Sequence, residues 1–237
     1  MVEYLMTHAS QMGIPMTEEQ AKRFVIYHEM LVKANSEFNL TRISPDMSES
    51  CDRNYLDCIT VLPYLKDARS FIDVGSGAGF PGIPVAIMRP DMEVTLIDAL
   101  GKRVTFLQSV IDALGLRARA IHIRSEEAAK KAEFREAYDV ASARAVAEMN
   151  ILTEWLMPFV KVGGKMLVLK GEKAEEETAA AKTAIETLGG EEAVIYDAPV
   201  PGRDWNHKIV EIGKINPTPE RFPRKPGIAE KRPIINP

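Results

Sequence analysis

Apolar positions recur with two different periods along this chain. Between residues 17 and 35, Ala21, Phe24, Val25, His28, Leu31 and Val32 share one helical face, and Thr17 with Gln20 forms a capping box. A connector, Asn39-Leu40-Thr41-Arg42-Ile43, is closed by Pro45, and residues 48–65 again carry a helical pattern. From residue 70 the period changes. SFIDVG, EVTLID, RAIHI, YDVAS and GKMLVLK are short apolar runs bounded by Gly, Asp, Pro or charged residues. Helical stretches near 82–89, 101–115, 125–135, 146–160 and 172–188 separate or follow them. This alternation predicts βαβ units and a parallel sheet covered on both faces, since strands buried on both sides read as almost wholly apolar. EAVIYD and HKIVEIG follow with only a Pro-Gly loop between them, which leaves no room for a crossover helix and predicts an antiparallel pair.

Composition adds bounds. The 237 residues are 46% hydrophobic and 27% charged, enough for one large globular domain with an extension and too apolar for disorder of the whole chain. No apolar run approaches the roughly 18 residues of a membrane span. The opening MVEYLMTHASQMGIP lacks the basic and apolar regions of a secretory signal. Cys51 and Cys58 make no disulfide framework, and they read as reduced thiols of a cytoplasmic protein. Four scattered histidines and no Cys-x-x-Cys pair argue against a metal site, and His28 reads as a core or boundary histidine.

The strongest chemical signal is Phe71-Ile72-Asp73-Val74-Gly75-Ser76-Gly77-Ala78-Gly79-Phe80-Pro81-Gly82. A buried strand runs into alternating glycines, with Pro81 where a helix would start. Such a turn lines the carboxyl end of a strand with backbone, where open α/β sheets bind ligands. Asp98 ends the next strand, 19 residues beyond Gly79, placed to accept hydrogen bonds from both hydroxyls of an adenosine ribose. Gly77-x-Gly79-x-x-Gly82 formally matches a dinucleotide fingerprint, which alone is weak. Asp73 beside the turn would repel a pyrophosphate, whereas it can orient turn amides or meet the ammonium of S-adenosylmethionine. The mechanics of the motif therefore favour a methyl donor over a nicotinamide cofactor.

DVGSGAGFPGIPVAI, then VTLIDALGKRVTFL, YDVASARAVA and LVLKG, resemble the RsmG (GidB) family, methyltransferases of guanine N7 in small-subunit (16S) ribosomal RNA. The resemblance runs from about Phe38 in FNLTRI to the tail PRKPGIAEKRPI. It implies an α/β fold, the class I S-adenosylmethionine-dependent methyltransferase. That fold is a Rossmann-like, seven-stranded, mostly parallel sheet with the last strand antiparallel, plus N-terminal helices. It divides the chain into a helical extension (1–66), a methyltransferase domain (67–215) and a Pro-rich basic C-terminal strap (216–237). The implied cofactor is S-adenosyl-L-methionine, with S-adenosyl-L-homocysteine as product, and the implied donor site is Asp73, Gly75, Gly77, Gly79, Phe80, Asp98, Ser125, Glu126 and Arg144. Arg144 and Lys170 are the candidates for a catalytic contact, and an arginine paired with an acid is the plainer reading of Arg144. In the stretch Arg53-Asn54-Tyr55-Leu56-Asp57-Cys58, Asn54 and Cys58 stand where the family often carries His and Ser. His207 stands where an arginine is common, and Arg203 is a candidate substitute.

Charge bears on the partner. The net charge of −4 divides into −8 over residues 1–213 and +4 over 214–232, and eight of the 15 prolines lie at or after Pro199. A second basic island, +4 over 101–124, contains Lys102, Arg103, Arg117, Arg119 and Arg124. Phosphates of an RNA need such cations. Asn39, Lys102, Arg103, Arg203, Arg224 and Lys225 are the RNA-binding candidates, although a solvated surface is an equally good account of any one of them. Residues 171–192 carry −5 and are expected to form a helix that faces away from RNA. The expected partner is 16S rRNA within the small subunit or its precursor, bound by a monomer with no membrane contact. Two other readings stay open on the same fold: a small-molecule methyltransferase, and a non-enzymatic RNA-binding module with a degenerate donor pocket.

Overall fold

The computed structural model of the chain describes residues 1–37, 40–41, 43–144 and 147–235. Two helices, α1 (Val2–Gln11) and α2 (Glu18–Glu37), open it. The capping box at α2 is present in both directions, Thr17 N–H donating to Gln20 Oε1 and Gln20 N–H to Thr17 Oγ1. The buried face of α2 is Ala21, Phe24, Tyr27, His28 and Leu31. It is shifted from the expected face: Tyr27 turns inward and Val32 lies exposed. The next helical stretch is built of α3 (Met47–Cys51), a π-helical turn (Asp52–Leu56) and α4 (Asp57–Ile59). The wider turn closes with the Asp57 N–H bonded to the Asp52 carbonyl, five residues back.

The seven strands are β1 (Ser70–Val74), β2 (Glu93–Asp98), β3 (Ala118–His122), β4 (Tyr138–Arg144), β5 (Val160–Lys170), β6 (Val194–Asp197) and β7 (Lys208–Gly213). They form one sheet in the order β3-β2-β1-β4-β5-β7-β6. β1 to β5 pair in parallel, and β7 runs antiparallel to both β5 and β6, as the short Pro-Gly connection requires. Between the strands come α5 (Gly82–Met88), α6 (Gly101–Leu114), α7 (Ser125–Ala128), α8 (Met149–Leu156), α9 (Ala174–Ala180) and α10 (Lys182–Thr187), and α11 (Ile228–Lys231) lies in the tail.

Alternation along β1 divides the core in two. Phe71 belongs to a cluster with Leu5, Phe24, Tyr27, Ile83 and Leu107, so the N-terminal helices share a core with α5 and α6. Ile72 and Val74 belong to the opposite cluster, with Leu152, Leu156, Ile185 and Phe222. Each such side chain contributes about 1.5–3 kcal/mol by leaving water.

Three helical expectations are shortened by tertiary contacts. The stretch 125–135 is helical only to Ala128, because Arg135 turns back to donate to the Ala129 carbonyl and to the tail carbonyls of Thr218 and Phe222. The stretch 146–160 ends its α-helix at Leu156 and passes into a 3-10 turn around Pro158. The stretch 172–188 is two helices, broken where the buried Ala181 N–H is shared between the Glu177 and Thr178 carbonyls.

The tail is fastened rather than projecting. Lys214 is buried and donates to Glu136, to the Met157 carbonyl and to Thr218 Oγ1. Arg224 forks onto the Glu154 carboxylate of α8 through Nε at 3.0 Å and Nη2 at 2.5 Å, while its backbone N–H donates to the same group. Phe222 fills the second core. Two of the six tail cations are thereby committed to internal acids, which corrects the expectation that Arg224 is available to RNA.

Candidate active site

The strand order changes direction between β1 and β4, so their carboxyl ends frame a crevice. The glycine turn fills one side. Gly75 and Ser76 N–H both donate to the Ile97 carbonyl, extending the β1–β2 pairing into the turn. The Gly77 N–H donates to Asp98 Oδ2 at 2.9 Å, and the Leu100 N–H to Asp98 Oδ1 at 2.8 Å. Asp98 thus holds the turn and the start of α6 together. Arg103 makes a longer ion pair with it at 3.4 Å. A carboxylate has about four acceptor positions, so one ribose hydroxyl is accommodated beside Arg103 and a second by displacing it.

The glycines of the turn serve different ends. Gly77 has φ +60°, and a Cβ there would meet only the Gly75 carbonyl at 3.9 Å, so its need is conformational. Gly79 is required by packing: a Cβ would lie 2.6 Å from Ile83 and 2.9 Å from Tyr27 Oη. Tyr27 donates to the Ala78 carbonyl at 2.5 Å, so an N-terminal helix clamps the turn. Asp73 is fully buried. Its Oδ2 accepts the Gly82 N–H at the start of α5, and its Oδ1 has no partner. Burial pushes its carboxyl up to about 7, against the pull of Gly82 and Ser76. The geometry matches the amide-orienting role of this acid.

Beside the turn, a cavity of about 200 Å³ is lined by Gly75, Asp98, Leu100, Ser125, Glu126 and Trp155, among others, with Glu230 of α11 at its edge. Ser125 donates to Glu126 Oε2, and the tail N–H of Gly227 reaches Glu126 Oε1 at 3.4 Å. This set suits an adenosine: a carboxylate at the strand end for ribose, polar groups beyond β3 for a base, and a glycine-lined entry. It offers no cation cluster for a pyrophosphate apart from Arg103 and Arg124.

A second cavity, about 590 Å³, opens across the carboxyl ends of β4 and β5 and the amino end of β7, and its walls include Asp57, Arg144, Lys170 and His207. Arg144 donates to the Arg53 carbonyl at 2.7 Å, pairs with Asp57 Oδ2 at 3.2 Å, and lies 4.5 Å over the Phe80 ring. The paired-arginine reading and the crevice reading of Arg144 therefore describe one residue. Phe80 is buried beneath it and supports it. Asp57 Oδ1 faces His207 Nδ1 at 2.8 Å. His207 is thus the residue that meets Asp57, while Arg203 turns to Asp52 Oδ2 at 2.6 Å. The expectation that Arg203 substitutes for the missing arginine is corrected by this pairing. Asn54 is buried and donates to Ser50 Oγ.

Other expectations also change. Lys170 is engaged by the Ala147 carbonyl at 2.9 Å and by Glu177 at 2.5 Å, so it stabilises the cavity wall rather than offering a free ammonium. Glu172 and Glu177 line that same cavity, so the acidic segment does not turn away as a whole. The island at 101–124 is split by β3. Lys102, Arg103 and Arg124 lie at the ligand end, whereas Arg117 pairs with Glu93 at the amino ends of the strands. Lys102 and Lys225 are exposed, and Asn39 lies outside the described residues. Burial raises the thiol of Cys51 to about 12 and raises that of Cys58 as well, in keeping with inert reduced thiols.

The sequence reading missed Tyr27, Trp155 and Trp205. Trp205 stacks on His207 at 5.1 Å, with Arg53 4.6 Å and Arg203 5.4 Å from its ring. The chain has only two tryptophans, and each borders a cavity-lining residue or a cavity; that scarcity was the available signal.

The family model described as rRNA small subunit methyltransferase G (GidB) matches residues 20–200. The ribosomal RNA small subunit methyltransferase G of Clostridium perfringens (strain 13 / Type A) is 44% identical over 225 residues, 94% of each chain. That of Pelotomaculum thermopropionicum is 41% identical over 237 residues, 99% of each. Among solved structures, an O-methyltransferase from Bacillus cereus in complex with SAH superposes with a TM-score of 0.58 at 16% identity, covering 90% of this chain and all of that one (100%). It shares the fold.

Proposed function

The chain belongs to the rRNA small subunit methyltransferase G (GidB) family, and we propose that it transfers the methyl group of S-adenosyl-L-methionine to N7 of a guanine in 16S ribosomal RNA. The observation that carries the donor assignment is the Asp98 carboxylate, which holds the Gly77 amide and faces a cavity sized for part of an adenosine.

When bound, the donor supplies an electrophilic methyl on a sulfonium. Transfer of that methyl to the N7 lone pair would leave a neutral thioether and move no proton, so the chain need supply no general base. The chain's own work is alignment and exclusion of water. In this reading Gly75 and Gly77 set the turn, Asp98 holds ribose, and Ser125 and Glu126 meet the base. Asp73 orients the Gly82 amide, while Gly79 and Phe80 serve the donor by packing. Arg144 sits on Phe80, tied to Asp57, at the border between donor turn and larger cavity. That cavity is the place for the target nucleotide. Lys102, Arg103, Arg124 and Lys225, with Arg53, are the cations offered to RNA phosphates.

The substrate in this reading is the rRNA of the small subunit or its precursor, and the protein acts as a cytoplasmic monomer. No helix among the described residues is long and apolar enough to cross a membrane. Incubation of the protein with tritiated donor and undermethylated small subunits is expected to yield N7-methylguanine in 16S rRNA. Donor binding without that product overturns the reading.

A further inference from the structure

We propose that Trp205 is a positioning residue for RNA: its indole fixes the Arg53 guanidinium at the rim of the larger cavity, where Arg53 grips the phosphate of the target nucleotide. The proposal rests on the RNA reading above.

From Ser50 to Val61 every residue is buried except Arg53. Its backbone is set by the site itself, since the Arg53 carbonyl accepts from Arg144 at 2.7 Å. Its side chain lines the cavity of about 590 Å³ and lies 4.6 Å over the Trp205 ring. Trp205 comes from the loop that leads into β7. Arg203, Trp205 and His207 alternate there and are partly buried, while Asp204 and Asn206 between them are exposed. The three alternate residues face one stretch of chain. Arg203 meets Asp52, Trp205 meets Arg53, and His207 meets Asp57. The loop and the π-helical turn are thus interlocked, with the indole in the middle of the three contacts.

Charge decides which of these groups is available to a ligand. Arg203 is held by the buried Asp52 carboxylate, and His207 Nδ1 is engaged by Asp57. Arg53 has Glu49 at 3.1 Å, in an exposed pair with 49% of the Arg53 side chain open to water. Such a pair is screened, and its carboxylate is readily exchanged for another anion. Among the described residues the Arg53 guanidinium has no other hydrogen-bond partner. Its five N–H donors lie in one plane, so a phosphate can be held through two of them along an edge that Glu49 leaves free. An unsupported arginine loses rotamer freedom on binding, whereas one already seated on an indole loses less. A base that enters the cavity leaves its phosphate at the rim, where Arg53 stands.

Steady-state methyl transfer to undermethylated small subunits at several salt concentrations tests this, with S-adenosyl-L-homocysteine binding by calorimetry as the control for folding. Arg53→Gln is expected to raise KM for subunits roughly tenfold, with kcat within about twofold of the wild type. It is also expected to lower the slope of log KM against log salt by about 0.7–0.9, the share of one phosphate contact. Trp205→Leu keeps apolar bulk and removes the π face, so the Arg53 charge stays but is no longer seated. It is expected to raise KM roughly threefold to fivefold at the wild-type salt slope, and to add little in the Arg53→Gln protein. Trp205→Phe keeps a π face and is expected to recover most of that loss. A wild-type KM in Trp205→Leu overturns the proposal. So does an equal rise from Trp205→Leu with and without Arg53→Gln, the mark of a tryptophan that only supports the loop. An unchanged salt slope in Arg53→Gln overturns it as well, whether or not the Trp205 variants fold. A wild-type protein that transfers no methyl to the subunits overturns the RNA reading and the proposal together.

Discussion

Asp73 lies out of reach of water, one oxygen on the Gly82 amide and the other without a partner. Burial raises its carboxyl to about 7, whereas an unfolded aspartate titrates near 3.9. Between about pH 4 and pH 7 the folded state keeps a proton that the unfolded chain has released. This group therefore lowers stability as pH rises through that window. Asp73→Asn keeps an oxygen for Gly82 and cannot titrate, so urea unfolding at pH 5 and pH 7.5 is expected to show a smaller loss of stability with rising pH than the wild type shows. An unchanged difference between the two pH values would contradict the assignment. Asp98 makes the opposite kind of residue-scale prediction, since its oxygens serve the turn and a ligand together. Asp98→Ala is expected to weaken S-adenosyl-L-homocysteine binding on the order of 100-fold by calorimetry, two charged hydrogen bonds being lost. Unchanged affinity would remove the ribose role.

At the scale of elements, α8 and the strap explain why a basic, Pro-rich tail need not be an RNA arm. Glu154 is 1% exposed and its counter-ion is Arg224. Removing one partner of such a pair leaves an uncompensated charge in a poorly solvated place, typically at about 3–5 kcal/mol. Arg224→Ala is expected to lose about 3 kcal/mol in urea unfolding, whereas Lys225→Ala, one residue away and exposed, is expected to stay within about 0.5 kcal/mol. Similar behaviour of the two variants would contradict the structural role of Arg224. The π-helical turn is a second element with local consequences. By widening the helix at Asp52–Leu56 it brings Asp52, Asn54 and Asp57 to three different partners, and the Arg53 carbonyl is bonded to Arg144. Apolar periodicity predicts a helix there and carries no sign of the extra residue in the turn.

For the molecule as a whole, charge is arranged rather than abundant. The net charge is −4, and several of the cations that looked available are held by acids: Lys170 by Glu177, Lys214 by Glu136, Arg203 by Asp52 and Arg224 by Glu154. Fewer cations are left to neutralise phosphates, so counter-ion release contributes less to affinity. Binding is therefore expected to depend on the shape of a folded substrate. At about 150 mM salt, sedimentation should detect association with undermethylated small subunits more readily than with protein-free 16S rRNA. Equal or tighter binding of the naked RNA would show that shape is not the deciding factor.

Much of this protein is written in short stretches of its sequence. The period of apolar residues marks each strand of the sheet. The capping pair Thr17 and Gln20 starts α2, the alternating glycines after β1 mark the ligand turn, and the short link before β7 reverses it. These features depend on residues a few positions apart, where dihedral preference and side-chain spacing act directly. Pairings across long separations were not legible in the same way. Arg224 with Glu154, Arg203 with Asp52, His207 with Asp57 and Tyr27 with the Ala78 carbonyl join segments 51 to 151 residues apart. Which of two oppositely charged residues meet is set by the sheet order and by the face on which each segment crosses, and no spacing in the chain records that. The glycine turn and Asp98 could thus be read from the sequence. Whether Arg224 serves RNA or an internal acid, and which residues wall the donor pocket, was decided only when the chain closed around its two cores.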